Sequence, residues 1–319
     1  MNNLFGGEGV LKYEPFFIKA EDNKELFIHY WRPSDDHCKG IIQISHGMAE
    51  HGKKYEEFAQ HMVEEGYGVY ANDHRGHGKT AGSLEETGFF AHHSGWSRVV
   101  DDMALLKTHI KNQWGELPLF LFGHSMGSLL SRNFIMEYSK GIKGVILSGT
   151  SGNPGIIVDA GRALAKLEGI LKGKRSRSVH LNNLTFGSYN KEFKPNETDF
   201  DWLSRDQKEV KKYIDDPFCG GIFSCGFFYD LLTGIKVIHK KENINKIPKH
   251  LPILLISGER DPVGNGGKGI LEVYREYKLA GIETIKYILY PEARHELLKE
   301  LNRRQVMEDV KNWMNKCFK

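Results

Sequence analysis

The stretch Leu117-Pro118-Leu119-Phe120-Leu121-Phe122-Gly123-His124-Ser125-Met126-Gly127-Ser128-Leu129-Leu130 decides the fold. Its first half is a short, nearly unbroken apolar run, the pattern of a strand buried on both faces. Residues 128–138 then read as a helix. Between them lies Gly123-His124-Ser125-Met126-Gly127, a G-x-S-x-G with a strand before it and a helix after it. In such an elbow the turn is so tight that small residues must flank the serine. The turn exposes the hydroxyl and aims the free N–H groups of a helix N-terminus at developing negative charge.

A nucleophilic serine needs a base, and the base needs an orienting acid. Asp261 ends the run Leu254-Leu255-Ile256-Ser257-Gly258-Glu259-Arg260-Asp261-Pro262, and His295 follows the next apolar strand in Tyr290-Pro291-Glu292-Ala293-Arg294-His295-Glu296. Each of the three residues follows its own strand, so a parallel sheet would deliver them to one carboxyl edge. Glu259 is the rival for the acid. An oxyanion hole needs two backbone donors: Met126 N–H supplies one, and the loop Ser45-His46-Gly47-Met48-Ala49-Glu50-His51-Gly52 should supply Met48 N–H. Gly47 would let that backbone approach closely. His46 and His51 could pair on a metal, but no third ligand lies near them in sequence.

Away from these motifs the first half alternates β-rich runs with amphipathic ones. Runs at 16–20 and 26–30 suggest a hairpin; strands are expected at Gly40–Ser45, Tyr67–Asn72, 117–123 and 144–148, with helices near 52–65, 96–114 and 126–139. The alternation stops after Gly152 and resumes with a strand at 252–257, a helix at 267–279, the strand Ile285–Tyr290 and a helix at 300–316. This predicts an α/β fold with a mostly parallel eight-stranded sheet flanked by helices. Residues 1–151 and 246–319 would form the catalytic domain, and 152–245 a helical cap inserted into it. Within the insertion Ile157, Ala160, Leu164, Leu167 and Leu171 share one helical face.

Composition narrows the function without choosing it. The 319 residues carry 44 Lys and Arg against 41 Asp and Glu, a net charge of +3 too small to point to nucleic acid. Four cysteines without C-x-x-C spacing argue against a zinc or disulfide framework and fit a reducing, cytoplasmic setting. The N-terminal MNNLFGGEGVLKYEPFF does not read as a signal peptide, and no apolar run is long enough to span a membrane. Transient contact with a membrane periphery stays open.

Taken in order, His46-Gly47-x-x-Glu50-His51, Asp73-His74-Arg75-Gly76-His77-Gly78, the Ser125 elbow, Gly258-x-x-Asp261-Pro262 and Arg294-His295-Glu296 resemble the monoglyceride lipase and lysophospholipase branch of the α/β-hydrolases, often filed as serine aminopeptidase-like. The segments at 200–206 and 216–219 resemble its bacterial members. The resemblance implies a triad of Ser125, Asp261 and His295, oxyanion donors at Met48 and Met126, and hydrolysis of medium- or long-chain acyl esters through an acyl-enzyme, without metal or organic cofactor. An amidase or aminopeptidase with the same triad, or a lipid-binding protein on a retained hydrolase fold, are the alternatives. Two positions depart from animal monoglyceride lipases: Lys54 replaces an arginine, and Leu298 a second histidine, both near the glycerol head group.

Other features are weaker. Gly264-Asn265-Gly266-Gly267-Lys268-Gly269 matches G-x-G-x-x-G but reads better as a flexible loop that frees Asp261 to turn to His295. The Asp73–Gly78 turn reads as structural, and His92-His93 as a solvated pair. Lys172, Lys174, Arg175 and Arg177 form a basic cluster, read as solvated surface or as a contact for anionic lipid. The apolar segment 218–232 is expected to pack the cap and to wall an acyl pocket. Substrate contacts are expected from Gly47, Glu50, His124, Phe218, Phe223, Phe227 and Phe228.

Overall fold

A computed structural model describes residues 11–34 and 37–318; most of the N-terminal stretch read above for a signal peptide lies outside them. In chain order the strands are β1 (Leu11–Tyr13), β2 (Phe16–Lys19), β3 (Glu25–Pro33), β4 (Gly40–Ser45), β5 (Tyr67–Asn72), β6 (Leu119–His124), β7 (Ile142–Ser148), β8 (Ile253–Gly258) and β9 (Ile285–Tyr290). They form one sheet in the order β1-β3-β5-β4-β6-β7-β8-β9, with β2 also paired to β3. The sheet has nine strands, not the eight expected. β3 is nine residues long, so β2 pairs with its first half as the expected hairpin and β1 with its second.

From β4 to β9 every pairing is parallel. β4, β5, β6 and β8 are buried along their whole length, which accounts for their mainly apolar sequence on both faces. Register aligns the carboxyl ends: Ser45 lies opposite Gly123, and His124 opposite Ser148. Residues just beyond β4, β6, β7, β8 and β9 therefore meet along one edge.

The helices are α1 (Glu56–Glu64), α2 (Gly78–Ala81), α3 (Gly95–Trp114), α4 (Met126–Glu137), α5 (Ile157–Lys172), α6 (Val179–Phe186), α7 (Gln207–Asp215), α8 (Cys225–Ile238), α9 (Lys241–Ile244), α10 (Lys268–Leu279) and α11 (Arg303–Lys316). One face of the sheet is covered by α3, α4 and α10 through Leu106, Leu130, Phe134 and Ile270. The other face is covered by α1 and α11 through Phe58, Met62, Val306 and Met314. Each such side chain contributes about 1.5–3 kcal/mol when fully buried. Between β7 and β8 the chain runs through α5 to α9.

The basic cluster fastens this helical segment to the loop between α2 and α3. Lys174 Nζ donates to His92 O at 2.8 Å, Arg175 pairs with Glu86 at 2.7 Å, and Arg177 donates to Leu84 O and Thr87 Oγ1 at 3.1 Å. Lys172 pairs with Glu168 at 3.6 Å, so all four cations have partners within the molecule. Among the described residues, no helix is long and apolar enough to cross a membrane.

Candidate active site

Ser125 sits between β6 and α4 at φ 53° and ψ −122°, a backbone region that ordinary residues avoid. The flanking glycines show what forces this. A Cβ on Gly127 would lie 1.9 Å from Ser45 O, and one on Gly123 2.5 Å from Gly127 O. The elbow is held from below by Ser125 N–H donating to Ser148 O at 2.9 Å, and from α4 by Ser128 Oγ donating to Ser125 O at 2.6 Å.

Asp261 and His295 come together at the same edge, with His295 Nδ1 2.9 Å from Asp261 Oδ1. Asp261 is fully buried, and its carboxylate also accepts Val263 N–H at 2.9 Å and the Ser257 hydroxyl at 3.3 Å. Glu259, the rival acid, is exposed. Burial pushes His295 down, yet attraction and hydrogen bonding to Asp261, with smaller help from Glu296 and Glu50, together offset it, and the imidazole ends above its ordinary value. Burial likewise pushes Asp261 up, but the His295 charge holds it below the usual carboxylate range.

The glycine-rich loop does not free Asp261 but closes on it. Gly266 N–H donates to Asp261 O at 2.9 Å, and Gly269 N–H to Gly264 O at 2.8 Å.

Three neighbours pack against His295, of which the sequence singled out only His124, and that as a substrate contact. Trp202 lies against its ring at 5.2 Å between centroids, and His124 at 4.7 Å on another side. Burial, then the charge of His295, drives His124 down to about 3. Gly149 has φ 60°, and a Cβ there would lie 2.9 Å from His295 Cε1. A glycine directly after β7 was the available hint.

Met48 and Gly47 face Ser125 from the loop after β4. A Cβ on Gly47 would come within 3.2 Å of Ser125 Cβ, so this glycine is required for the close approach. Met126 is the first residue of α4, where a helix leaves its N–H without an internal partner.

Ser125 stands where two cavities meet. One, of about 360 Å³, is lined by Glu50, Asn182, Asn183, Asn190, Trp202, His295 and Glu296 among others. The other, of about 720 Å³, is chiefly apolar, with walls from Leu129, Leu164, Leu181, Phe228, Leu231, Leu232 and Ile235. Of the four expected phenylalanines only Phe228 lines it. Phe223 and Phe227 turn the other way, against His77 at 4.8 and 6.0 Å and each other at 4.4 Å. Phe218 lines neither cavity.

Glu50 is spoken for by protein. Its Oε1 accepts Gly47 N–H at 2.5 Å and the Tyr55 hydroxyl at 2.8 Å, while Oε2 pairs with Lys54 at 2.9 Å. Lys54 also reaches Glu296 at 2.6 Å and lies 4.4 Å above the Tyr213 ring. Leu298 packs into the core around α11.

His46 and His51 do not form a pair: His46 is held by backbone groups, and His51 Nε2 contacts Asp216 at 2.9 Å. Among the described residues, His29, His51 and Asp73, and likewise His51, Asp216 and Cys219, bring ligand atoms within 4.8 Å of one another. The first group is already engaged, since Asp73 accepts His29 Nε2 at 3.0 Å and Gly52 N–H at 2.8 Å. With Lys79 N–H at 2.7 Å on its other oxygen, Asp73 serves the loop structure as expected.

The family model of serine aminopeptidase, S33, in the Hydrolase_4 group, matches residues 36–302. The chain belongs to that family. It is 28% identical over 305 residues to the monoglyceride lipase of Rattus norvegicus, covering 94% of this chain and 90% of that one. It is 27% identical over 286 residues to the monoacylglycerol lipase of Mycolicibacterium smegmatis, at 89% and 90% coverage. A thermostable carboxyl esterase from Bacillus coagulans, solved in complex with glycerol, superposes at a TM-score of 0.88 with 28% identity, over 96% of this chain and 98% of that one. The α/β-hydrolase fold of the S33 family thus accounts for the sheet order and for the elbow after β6.

Proposed function

We propose that this carboxylic ester hydrolase cleaves acyl esters with a small polar alcohol, of monoacylglycerol type, by nucleophilic catalysis at Ser125. The observation that carries this reading is the meeting at Ser125 of a strongly apolar cavity and a smaller, more polar one. The apolar space suits an acyl chain, and the smaller, asparagine-lined space suits a hydroxylated leaving group.

Ser125 Oγ attacks the ester carbonyl as His295 Nε2 takes its proton, and Asp261 stabilises the imidazolium through Nδ1–H. Met48 and Met126 N–H groups receive the oxyanion. The alcohol leaves with the proton from His295, and water activated by the same base releases the acid. Residues 152–245 act as a cap, contributing walls to both cavities. Of the three carboxylates lining this smaller cavity, Glu50 and Glu296 are closed on Lys54 and only the exposed Asp199 is left to meet a cationic amine, which favours a neutral alcohol over the amine an aminopeptidase would receive. The direct test is a panel of monoacylglycerol, lysophospholipid, simple ester and aminoacyl amide at matched chain length, with Ser125→Ala as blank. A faster amide would overturn the assignment.

Chain length follows from the apolar cavity. Each buried CH₂ contributes about 0.8 kcal/mol, roughly fourfold in kcat/KM. Leu164→Trp fills part of the space and is expected to depress long-chain esters while sparing butyrate. Profiles over p-nitrophenyl esters check this, and an unchanged profile argues against an acyl role for the cavity.

The cap also supports contact with a lipid surface, though not through the basic cluster. Ile156 and Ile157 before and at the start of α5, with Leu167, Ile170 and Leu171 along it, are exposed, as is Leu184 on α6. Ile157 and Leu184 line the apolar cavity too, so its mouth opens onto this face. Ile170→Asp with Leu171→Asp is expected to abolish co-flotation with lipid vesicles and, since neither residue lines the cavity, to leave water-soluble butyrate hydrolysis unchanged.

A further inference from the structure

The two peptides that flank the Gly47 Cα are each held by a buried side chain. His46 Nδ1 lies 2.7 Å from Gly47 O, and His46 Nε2 accepts His74 N–H at 2.9 Å. A carbonyl can only accept and an N–H only donate, so His46 is held as the neutral tautomer carrying its proton on Nδ1. Burial, which disfavours the imidazolium, supports the same state. On the other side of the residue, Gly47 N–H donates to Glu50 Oε1, whose carboxylate is fixed in turn by Tyr55 and Lys54. His46 and Glu50 are both almost fully buried.

In a trans peptide the carbonyl oxygen and the next N–H point in opposite directions. Fixing Gly47 O on His46 therefore turns Met48 N–H the opposite way, and Met48 lines both cavities at Ser125. Glycine at position 47 has no side chain to restrict this rotation, and a Cβ there would meet Glu50 Oε1 at 2.8 Å. The peptide plane has to be set from outside.

We infer that His46 and Glu50 are positioning residues for oxyanion stabilisation: Glu50 fixes the His46–Gly47 peptide and His46 the Gly47–Met48 peptide, so that Met48 N–H faces the reacting carbonyl. This rests on the serine-hydrolase reading above. It also reassigns Glu50, expected from sequence to contact substrate, to work through the backbone.

The test compares four variants for turnover and for binding of a long-chain trifluoromethyl ketone. Ser125 Oγ adds to that ketone's carbonyl carbon, the serine proton passes to His295, and the former carbonyl oxygen becomes the anion that the N–H groups receive. Losing one oxyanion donor costs about 10²–10³ in kcat, so misdirecting one should cost about 10- to 10²-fold. His46→Ala and Glu50→Ala are expected to lose kcat by that factor with KM changed little, and to lose ketone affinity in parallel while product fatty acid binds as before. Glu50→Gln keeps an acceptor for Gly47 N–H and should recover most of the loss.

His46→Asn keeps an amide donor near the Nδ1 position, whereas His46→Gln moves it toward Nε2. Asn should be at least about tenfold faster than Gln at equal melting temperature, even if the alanine variants do not fold. Equal rates for Asn and Gln, or a kcat loss with unchanged ketone affinity, would overturn the clamp. Full activity in Ser125→Ala would instead overturn the serine-hydrolase reading itself.

Discussion

Ser125→Ala is expected to hydrolyse esters about 10⁴–10⁶-fold more slowly than the parent, in a protein that melts at nearly the same temperature. Alanine keeps the Cβ and removes only Oγ, so the packing around the elbow is untouched. The unusual backbone at φ 53° is set by Ser148 O, Ser128 Oγ and the two flanking glycines, none of which depends on the hydroxyl. The chemistry is another matter. Without Oγ no acyl-enzyme can form, and the remaining rate is what bound water and the oxyanion donors supply. Turnover and fluorophosphonate labelling should vanish together while fatty-acid binding persists, because the apolar cavity is intact. A purified variant that kept ordinary turnover would sink the assignment.

What could be read from sequence followed from local pattern. Ser125, Asp261 and His295 each follow an apolar run long enough to be recognised as a buried strand, and a parallel sheet leaves such residues one place to meet. β1 escapes the sequence pattern because Leu11-Lys12-Tyr13 is too short to show a period, and it exists because β2 leaves one edge of the second half of β3 free. The acyl wall was misread for a different reason. Phe227 and Phe228 are adjacent in sequence but about 100° apart around α8, so one ring faces the core and the other the cavity. An apolar run alone cannot say which. The commitments of Arg175 to Glu86, of Glu50 to the Gly47 backbone and of Lys54 to Glu296 were equally hidden: each depends on where a side chain points after the loops have closed, across up to 242 residues of sequence.

Asp261→Asn is the second large effect, expected to lower kcat/KM by about 10³–10⁴-fold with little change in KM. Asp261 Oδ1 accepts both His295 Nδ1–H and Val263 N–H, so an asparagine oxygen in that place would keep the backbone bond and the productive tautomer. What it would lose is charge. The imidazolium that forms when Ser125 attacks would then sit buried without its counter-ion. The flipped asparagine fares no better, since its NH₂ would face Val263 N–H and force the His295 proton onto Nε2, the atom that must accept from serine. The pH profile separates this electrostatic account from simple disruption. His295 must be neutral to act as base, and its pKa is raised above the ordinary 6.5, so parent activity should fall as pH drops through a value above 6.5. In Asp261→Asn the largest raising interaction is gone, while burial, which lowers the pKa and is the largest influence, remains with the weaker pull of Glu296 and Glu50. The acidic limb of the residual activity should therefore move to lower pH, and a limb that stayed in place would count against Asp261 as the partner that sets the base.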